Sequence, residues 1–169
     1  MPVLRSKTQP PCYLVKTSPI HGRGVFARRA IEPGTAIIEY TGERISWEEG
    51  NRRRDDGDPL NLTYFFTLND GRLIDGAVNG SEARFINHSC EPNCEAIEHE
   101  DGSVWIHALR PIARGEELSY DYALIYEGRH TAAIKRAFAC HCGAPSCCGS
   151  MLMPKRSARY RANMRLKKN

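Results

Sequence analysis

The chain has 169 residues, with 24 Lys and Arg against 20 Asp and Glu, and a net charge of +4. At 41% hydrophobic it can bury one ordinary core, but no run approaches the ~18 apolar residues of a membrane span, and the polar stretch 1–11 lacks the apolar run of a secretory leader. Seven cysteines, concentrated late in the chain and without such a leader, point to thiols and metal in a reducing compartment rather than to a disulfide framework.

In chain order, residues 13–16 read as a short strand that Ser18-Pro19 breaks. His21-Gly22-Arg23-Gly24-Val25-Phe26-Ala27 follows. Its Gly-x-Gly-x-x-Ala spacing formally meets the dinucleotide-binding fingerprint, but that motif needs a helix opening at the third small residue. Here Glu32-Pro33-Gly34 turns the chain and residues 35–40 form a strand, so no helix end is available to hold a pyrophosphate. The two glycines let backbone approach something closely, either a ligand or another strand. Residues 47–54 predict a short charged helix. Residues 62–68, the turn Asn69-Asp70-Gly71 and residues 72–75 predict a hairpin.

The densest polar stretch is Arg84-Phe85-Ile86-Asn87-His88-Ser89-Cys90-Glu91-Pro92-Asn93-Cys94. Asn87 and His88 can each donate and accept hydrogen bonds, and Pro92 would end any helix begun there. By local chemistry alone the stretch also reads as a helix end followed by a turn. Residues 95–99 and 104–108 predict a second hairpin, and Glu98-His99-Glu100 and His107 around it read as surface or packing residues. Ile112 and Gly115 are spaced like Ile31 and Gly34. Residues 117–122 predict a strand whose Tyr120 and Tyr122, at alternate positions, share a face. With Tyr40 and Tyr64 they suit either an aromatic slot for a cation or ordinary packing. Residues 129–138 have helical character.

Cys140-x-Cys142-x4-Cys147 places three thiols within eight residues, a pattern that suits tetrahedral zinc. Cys148 is adjacent to Cys147 and poorly placed to aim at the same ion, so Cys90 is the better fourth ligand. An all-protein ligand set makes such a site structural. After Gly149 come seven cations and no acid, so the preceding body is net acidic, and the basic end suits an acidic partner surface or DNA. Phosphate-cradling, zinc-protease and nucleophile-elbow motifs are absent.

Five motifs in order resemble the SET-domain protein lysine methyltransferases. They are Gly22-Arg23-Gly24-Val25-Phe26, Tyr40-Thr41-Gly42-Glu43, the Asn87-His88-Ser89-Cys90 stretch, Glu117-Leu118-Ser119-Tyr120-Asp121-Tyr122, and the closing cysteines, which look like a post-SET zinc motif. The resemblance covers about residues 13–153. It implies a mostly β fold of the β-clip (SET) type, with small antiparallel sheets, few short helices and a pseudoknot that brings the asparagine–histidine segment beside the late tyrosine strand. It implies an N-terminal extension at 1–12, a SET domain at 13–127, a post-SET zinc segment at 128–153 and a basic tail at 154–169.

Carried over by residue, the resemblance implies that S-adenosylmethionine is held by His21, Gly22, Arg23, Gly24, Thr63, Tyr64, Asn87 and His88. Tyr122 is then the catalytic tyrosine, Tyr120 and Tyr40 wall a lysine channel, and Cys90, Cys140, Cys142 and Cys147 ligate one zinc. The channel must receive a neutral lysine amine although its free pKa is ~10.4, and an aromatic, poorly hydrated channel disfavours the ammonium form. A tyrosine at position 120 implies mainly monomethylation. Two positions depart from the family pattern: Arg23 stands where an aromatic such as Trp is frequent, and Cys148 where Arg is common. The implied substrate is a histone tail or another basic protein, in the nucleus or on chromatin of a eukaryote, or in the cytoplasm or a host for a bacterial enzyme. The competing readings are a zinc-stabilised binding module without catalysis and a nucleic-acid binder built on the basic tail.

Overall fold

The computed structural model describes residues 10–56 and 64–157. Thr63, Leu62 and the part of the basic tail from 158 onward lie outside the described residues. Ten short strands dominate: β1 (Tyr13–Thr17), β2 (Arg23–Ala27), β3 (Ala36–Glu39), β4 (Glu43–Ile45), β5 (Phe65–Thr67), β6 (Leu73–Asp75), β7 (Asn87–His88), β8 (Cys94–Glu98), β9 (Val104–Ala108) and β10 (Ser119–Tyr120). Two helices accompany them, α1 (Trp47–Asp56) and α2 (Ala132–Ala137). Among the described residues no helix is long and apolar enough to cross a membrane.

The strands form four small sheets, ordered β1-β2, β3-β9-β8, β4-β6-β5 and β7-β10. Both predicted hairpins are present, as β5–β6 and β8–β9. Alternation drives the second one: Val104, Ile106 and Ala108 are buried while Trp105 and His107 are half-buried on the other face. Gly24 lies inside β2, paired with Lys16 of β1, and the close approach that its missing side chain permits is that of Ser18 and Glu117. The spacing shared by Ile31 and Ile112 is also structural, because the two residues form an antiparallel bridge with hydrogen bonds of 2.9 Å in both directions.

Both helices begin where the local chemistry supplies a cap. Ser46 Oγ accepts the Glu49 N–H at 3.1 Å before α1, and Thr131 Oγ1 accepts the Ile134 N–H at 3.2 Å before α2. Arg53 then ties α1 down, reaching Glu43 at 2.8 Å and Asp75 at 2.7 Å. A 3-10 turn over Glu82–Phe85, capped by Ser81, includes Arg84 and Phe85, the first two residues of the polar stretch. The stretch therefore begins as the end of a short 3-10 helix and passes at Asn87 into the strand β7.

One common core joins these sheets, with Val25, Ile74, Ile86, Ile106, Ile112 and Leu118 at most 1% exposed. Among them Ile86 adjoins Asn87 and Leu118 adjoins Glu117 in sequence, so burial of the apolar neighbour fixes the backbone of the polar one. The predicted strand 117–122 is shorter than its pattern suggests. Only Ser119 and Tyr120 pair regularly, in parallel with Asn87 and His88. The ladder stops because the Tyr122 N–H is taken by a side chain, His88 Nδ1 at 3.1 Å, and because Asp121 Oδ1 accepts the Ala123 N–H at 3.0 Å, an Asx turn.

Asn93 is a second brace at this junction. It is 2% exposed. Its Nδ2 donates to Glu117 O at 2.8 Å and Glu116 Oε1 at 3.0 Å, and its Oδ1 accepts the Ser119 N–H at 2.8 Å. Asn93→Ala strands that buried N–H and should lower unfolding free energy by about 1–3 kcal/mol in urea titration. Leu109→Ala, at a residue 46% exposed, should change it by less than about 0.5 kcal/mol.

Candidate functional site

The short parallel pair β7–β10 brings the asparagine–histidine segment and the late tyrosines together. Two clefts meet there. The larger, about 510 Å³, is lined by His21, Gly22, Arg23, Tyr64, Asn87 and His88, with Phe138 to His141 along another side. The smaller, about 270 Å³, is lined by Trp47, Phe66, Pro92, Leu109, Tyr120 and Asp121 among others. Tyr122, Leu124 and Phe138 line both. Tyr122 thus stands in the wall that the two clefts share.

The Tyr122 hydroxyl donates to the Ile86 carbonyl at 2.5 Å, which leaves its oxygen lone pairs free to accept. Burial, reinforced by the neighbouring Tyr120, raises its pKa well above the ordinary tyrosine value, so the hydroxyl is neutral. Tyr120 is shifted in the same direction by burial and by Tyr40. The Tyr120 and Tyr122 rings lie 4.9 Å apart. Tyr40 is buried against Phe66 and lines neither cleft, and its hydroxyl donates to the Tyr64 carbonyl at 2.7 Å.

The polar pair is committed inside the protein. Asn87 Nδ2 reaches three acceptors: His21 O at 3.3 Å, Arg23 O at 3.1 Å and Glu117 Oε1 at 2.8 Å. It therefore holds the glycine-rich loop that borders the larger cleft. His88 is 5% exposed, and burial lowers its pKa although Asp121 pulls the other way. Its Nδ1 accepts from the Tyr122 N–H, which assigns the ring proton to Nε2. That nitrogen faces Cys90 Sγ at 3.5 Å. One imidazole thus connects the shared-wall tyrosine to the cysteine cluster.

Cys90, Cys140, Cys142 and Cys147 bring their sulfurs within 4.8 Å of one another. Cys90 lies 3.8 Å from Cys140 and 3.9 Å from Cys147. A tetrahedral zinc with Zn–S bonds near ~2.3 Å has edges near ~3.8 Å, so the spacing suits that ion. Burial opposes ionisation of Cys142, but the Cys90 and Ala144 N–H groups and the neighbouring thiols bring it down to about 6. Burial instead pushes the Cys90 and Cys140 thiols up, so the readily formed thiolate is that of Cys142. Cys148 approaches Cys90 at 3.4 Å but turns its thiol to the Ser150 carbonyl at 3.2 Å and stays outside the group. No cysteine of the chain is in a disulfide.

Sequence reading passed over Glu117. Its carboxylate accepts from Asn87 Nδ2 and from Ser18 Oγ, the latter at 2.8 and 3.0 Å. Gly24 makes room for it, since a Cβ there would collide with Glu117 Oε1 and stand 2.9 Å from Ser18 Cβ. The available signal was an acid directly before Leu118, a residue with no exposure, in a strand otherwise marked for burial. Phe85 was also passed over. Arg23 lies over its ring at 4.2 Å and Arg84 at 4.7 Å, which gives Arg23 a cation–π anchor beside the larger cleft.

A model of the SET domain family matches residues 22–123. Over 146 residues the chain is 40% identical to human histone-lysine N-methyltransferase 2B, an alignment covering 83% of this chain and 5% of that protein. It is 43% identical over 139 residues to the histone-lysine N-methyltransferase trr of Drosophila melanogaster, covering 80% of this chain and 6% of that protein. With the Arabidopsis thaliana histone-lysine N-methyltransferase ATX2 the identity is 38% over 138 residues, covering 78% and 12%. The chain thus spans a small fraction of the length of these curated relatives.

Gly24→Ala should destabilise the fold by about 1–3 kcal/mol through overpacking. The double variant Gly24→Ala/Glu117→Ala should cost less than the two single changes together, because the second removes the carboxylate that the new methyl meets. Denaturant unfolding of the four proteins in the cycle measures the coupling.

Proposed function

The chain belongs to the SET domain family, and on that premise we propose that it is a protein lysine methyltransferase using S-adenosylmethionine. The observation that carries this reading is the position of Tyr122, in a wall common to two clefts of different character. A donor bound on one side and a lysine inserted from the other would meet at that tyrosine.

The larger cleft suits the cofactor. His21, Gly22 and Arg23 offer backbone held in place by Asn87, and Arg23 and Tyr64 offer flat side chains beside it. Gly24, Thr63, Asn87 and His88 complete the assignment, with Asn87 acting through the loop it braces. When bound, S-adenosylmethionine supplies an electrophilic methyl group on a sulfonium.

The chain's own residues do the rest. The aromatic surface of Tyr120 and Tyr122 disfavours an ammonium and so favours the neutral lysine amine. The Tyr122 oxygen, with its proton directed to Ile86, accepts from the amine and orients it toward the larger cleft. Tyr40 supports this wall from behind. No carboxylate base is required, because a lysine that enters neutral has already given its proton to solvent. The Tyr120 hydroxyl leaves less room for added methyl groups, which makes monomethylation the main outcome.

Cys90, Cys140, Cys142 and Cys147 hold one structural zinc. The substrate is a lysine in a histone tail or a similar basic segment, and nuclear chromatin is the compartment that such a substrate implies. The cations in the stretch 154–169 suit docking on DNA or another acidic surface.

The test is methyl transfer from labelled S-adenosylmethionine to recombinant histones. Tyr122→Phe should lower turnover on the order of 10²-fold. Tyr120→Phe should raise the di- and trimethyl fraction in mass spectra, and an unchanged product profile would refute the monomethylation reading. Burial raises the pKa values of both tyrosines, so their neutral forms persist through the assay range. The rise in rate between about pH 7 and about pH 9 should therefore track the substrate lysine, and Tyr120→Phe should leave its shape unchanged.

Purified protein should carry about one zinc per chain, and Cys142→Ser should lower both metal content and stability. Metal-free protein with full stability would remove the zinc assignment.

A further inference from the structure

We propose that His99 and His107 form a surface site for a divalent transition-metal ion of the zinc class, distinct from the cysteine cluster. His99 follows β8 and is exposed, and His107 lies half-buried in β9. Their Nε2 atoms lie 3.3 Å apart, with the ring planes 24° from parallel.

At most one proton fits between two nitrogens at that distance, so at least one of them turns a lone pair into the gap. His107 supplies it. Its Nδ1 lies 3.4 Å from the Gly34 carbonyl oxygen, which can only accept, and this places the ring proton on Nδ1 and leaves Nε2 bare. A backbone carbonyl behind an imidazole is the arrangement that orients metal-bound histidines.

The same spacing suits a metal ion. Zn–N bonds of ~2.0–2.1 Å in a tetrahedron put neighbouring nitrogens near ~3.3 Å apart. Exposure of His99 leaves the remaining positions to water. The Asp101 carboxyl adds negative charge nearby: its pKa is lowered chiefly by hydrogen bonds from the Ser103 hydroxyl and N–H, and also by the field of His99. Imidazole favours zinc, copper and nickel over calcium or magnesium, so the site should ignore the latter two.

The experiment is calorimetric titration of Zn²⁺ into protein whose metal content has first been measured, so it does not depend on the cysteine assignment. Wild type should take up one equivalent beyond the metal already carried. His99→Gln and His107→Gln should each weaken that step by at least about tenfold, with the initial metal content and the far-ultraviolet circular dichroism unchanged. No additional uptake by wild type, or additional uptake equally tight in both variants, overturns the site.

Discussion

Four residues of parallel ladder, Asn87 and His88 against Ser119 and Tyr120, carry the geometry of this molecule. The pairing alone is too short to be stable by itself. It persists because side chains lock it on every side. Asn87 links it to the glycine-rich loop, and Asn93 holds the Ser119 N–H. His88 holds the Tyr122 N–H and faces Cys90. Asn87, His88, Asn93 and Ser119 are buried, and an unsatisfied polar atom there costs more than a satisfied one contributes. Each therefore depends on the others, and among the described residues no buried side-chain nitrogen or oxygen lacks a partner.

The same constraint explains why the tyrosines are suited to amine chemistry. Enclosure that satisfies the ladder also removes water from Tyr120 and Tyr122, and burial is the largest influence on both. A hydroxyl that stays neutral is an acceptor with no charge to attract an ammonium ion. The proposed chemistry thus follows from packing, and the zinc-type cluster adjoins it through a single imidazole.

Much of this was legible in the sequence. Both hairpins, the charged helix and the four converging cysteines follow from turn residues, alternation and ligand spacing. Cys90 was identifiable because Cys148 adjoins Cys147, and the sulfur distances agree. The partners of polar side chains were not legible. Asn87 reaches acceptors that lie 64 and 66 residues away in sequence, and no local pattern encodes such a meeting. The strand at 117–122 was overextended for the same reason, because its ladder ends where a distant histidine accepts the next N–H. His99 and His107 look like unrelated surface residues until the β8–β9 hairpin brings their Nε2 atoms to 3.3 Å.

The larger cleft takes its far side from Arg136 to His141 and from Met151, all late in the chain. The main buried cluster beneath it is drawn from residues up to Tyr120, and Leu152 and Met153 are the buried apolar residues that come later. On a ribosome, where residues emerge at roughly 5–20 per second, Tyr120 and Tyr122 can be folded before the pocket has its last wall. Such a nascent chain holds most of its core and an open groove. The order of synthesis thus leaves this cleft open on one side until the cysteine segment has emerged.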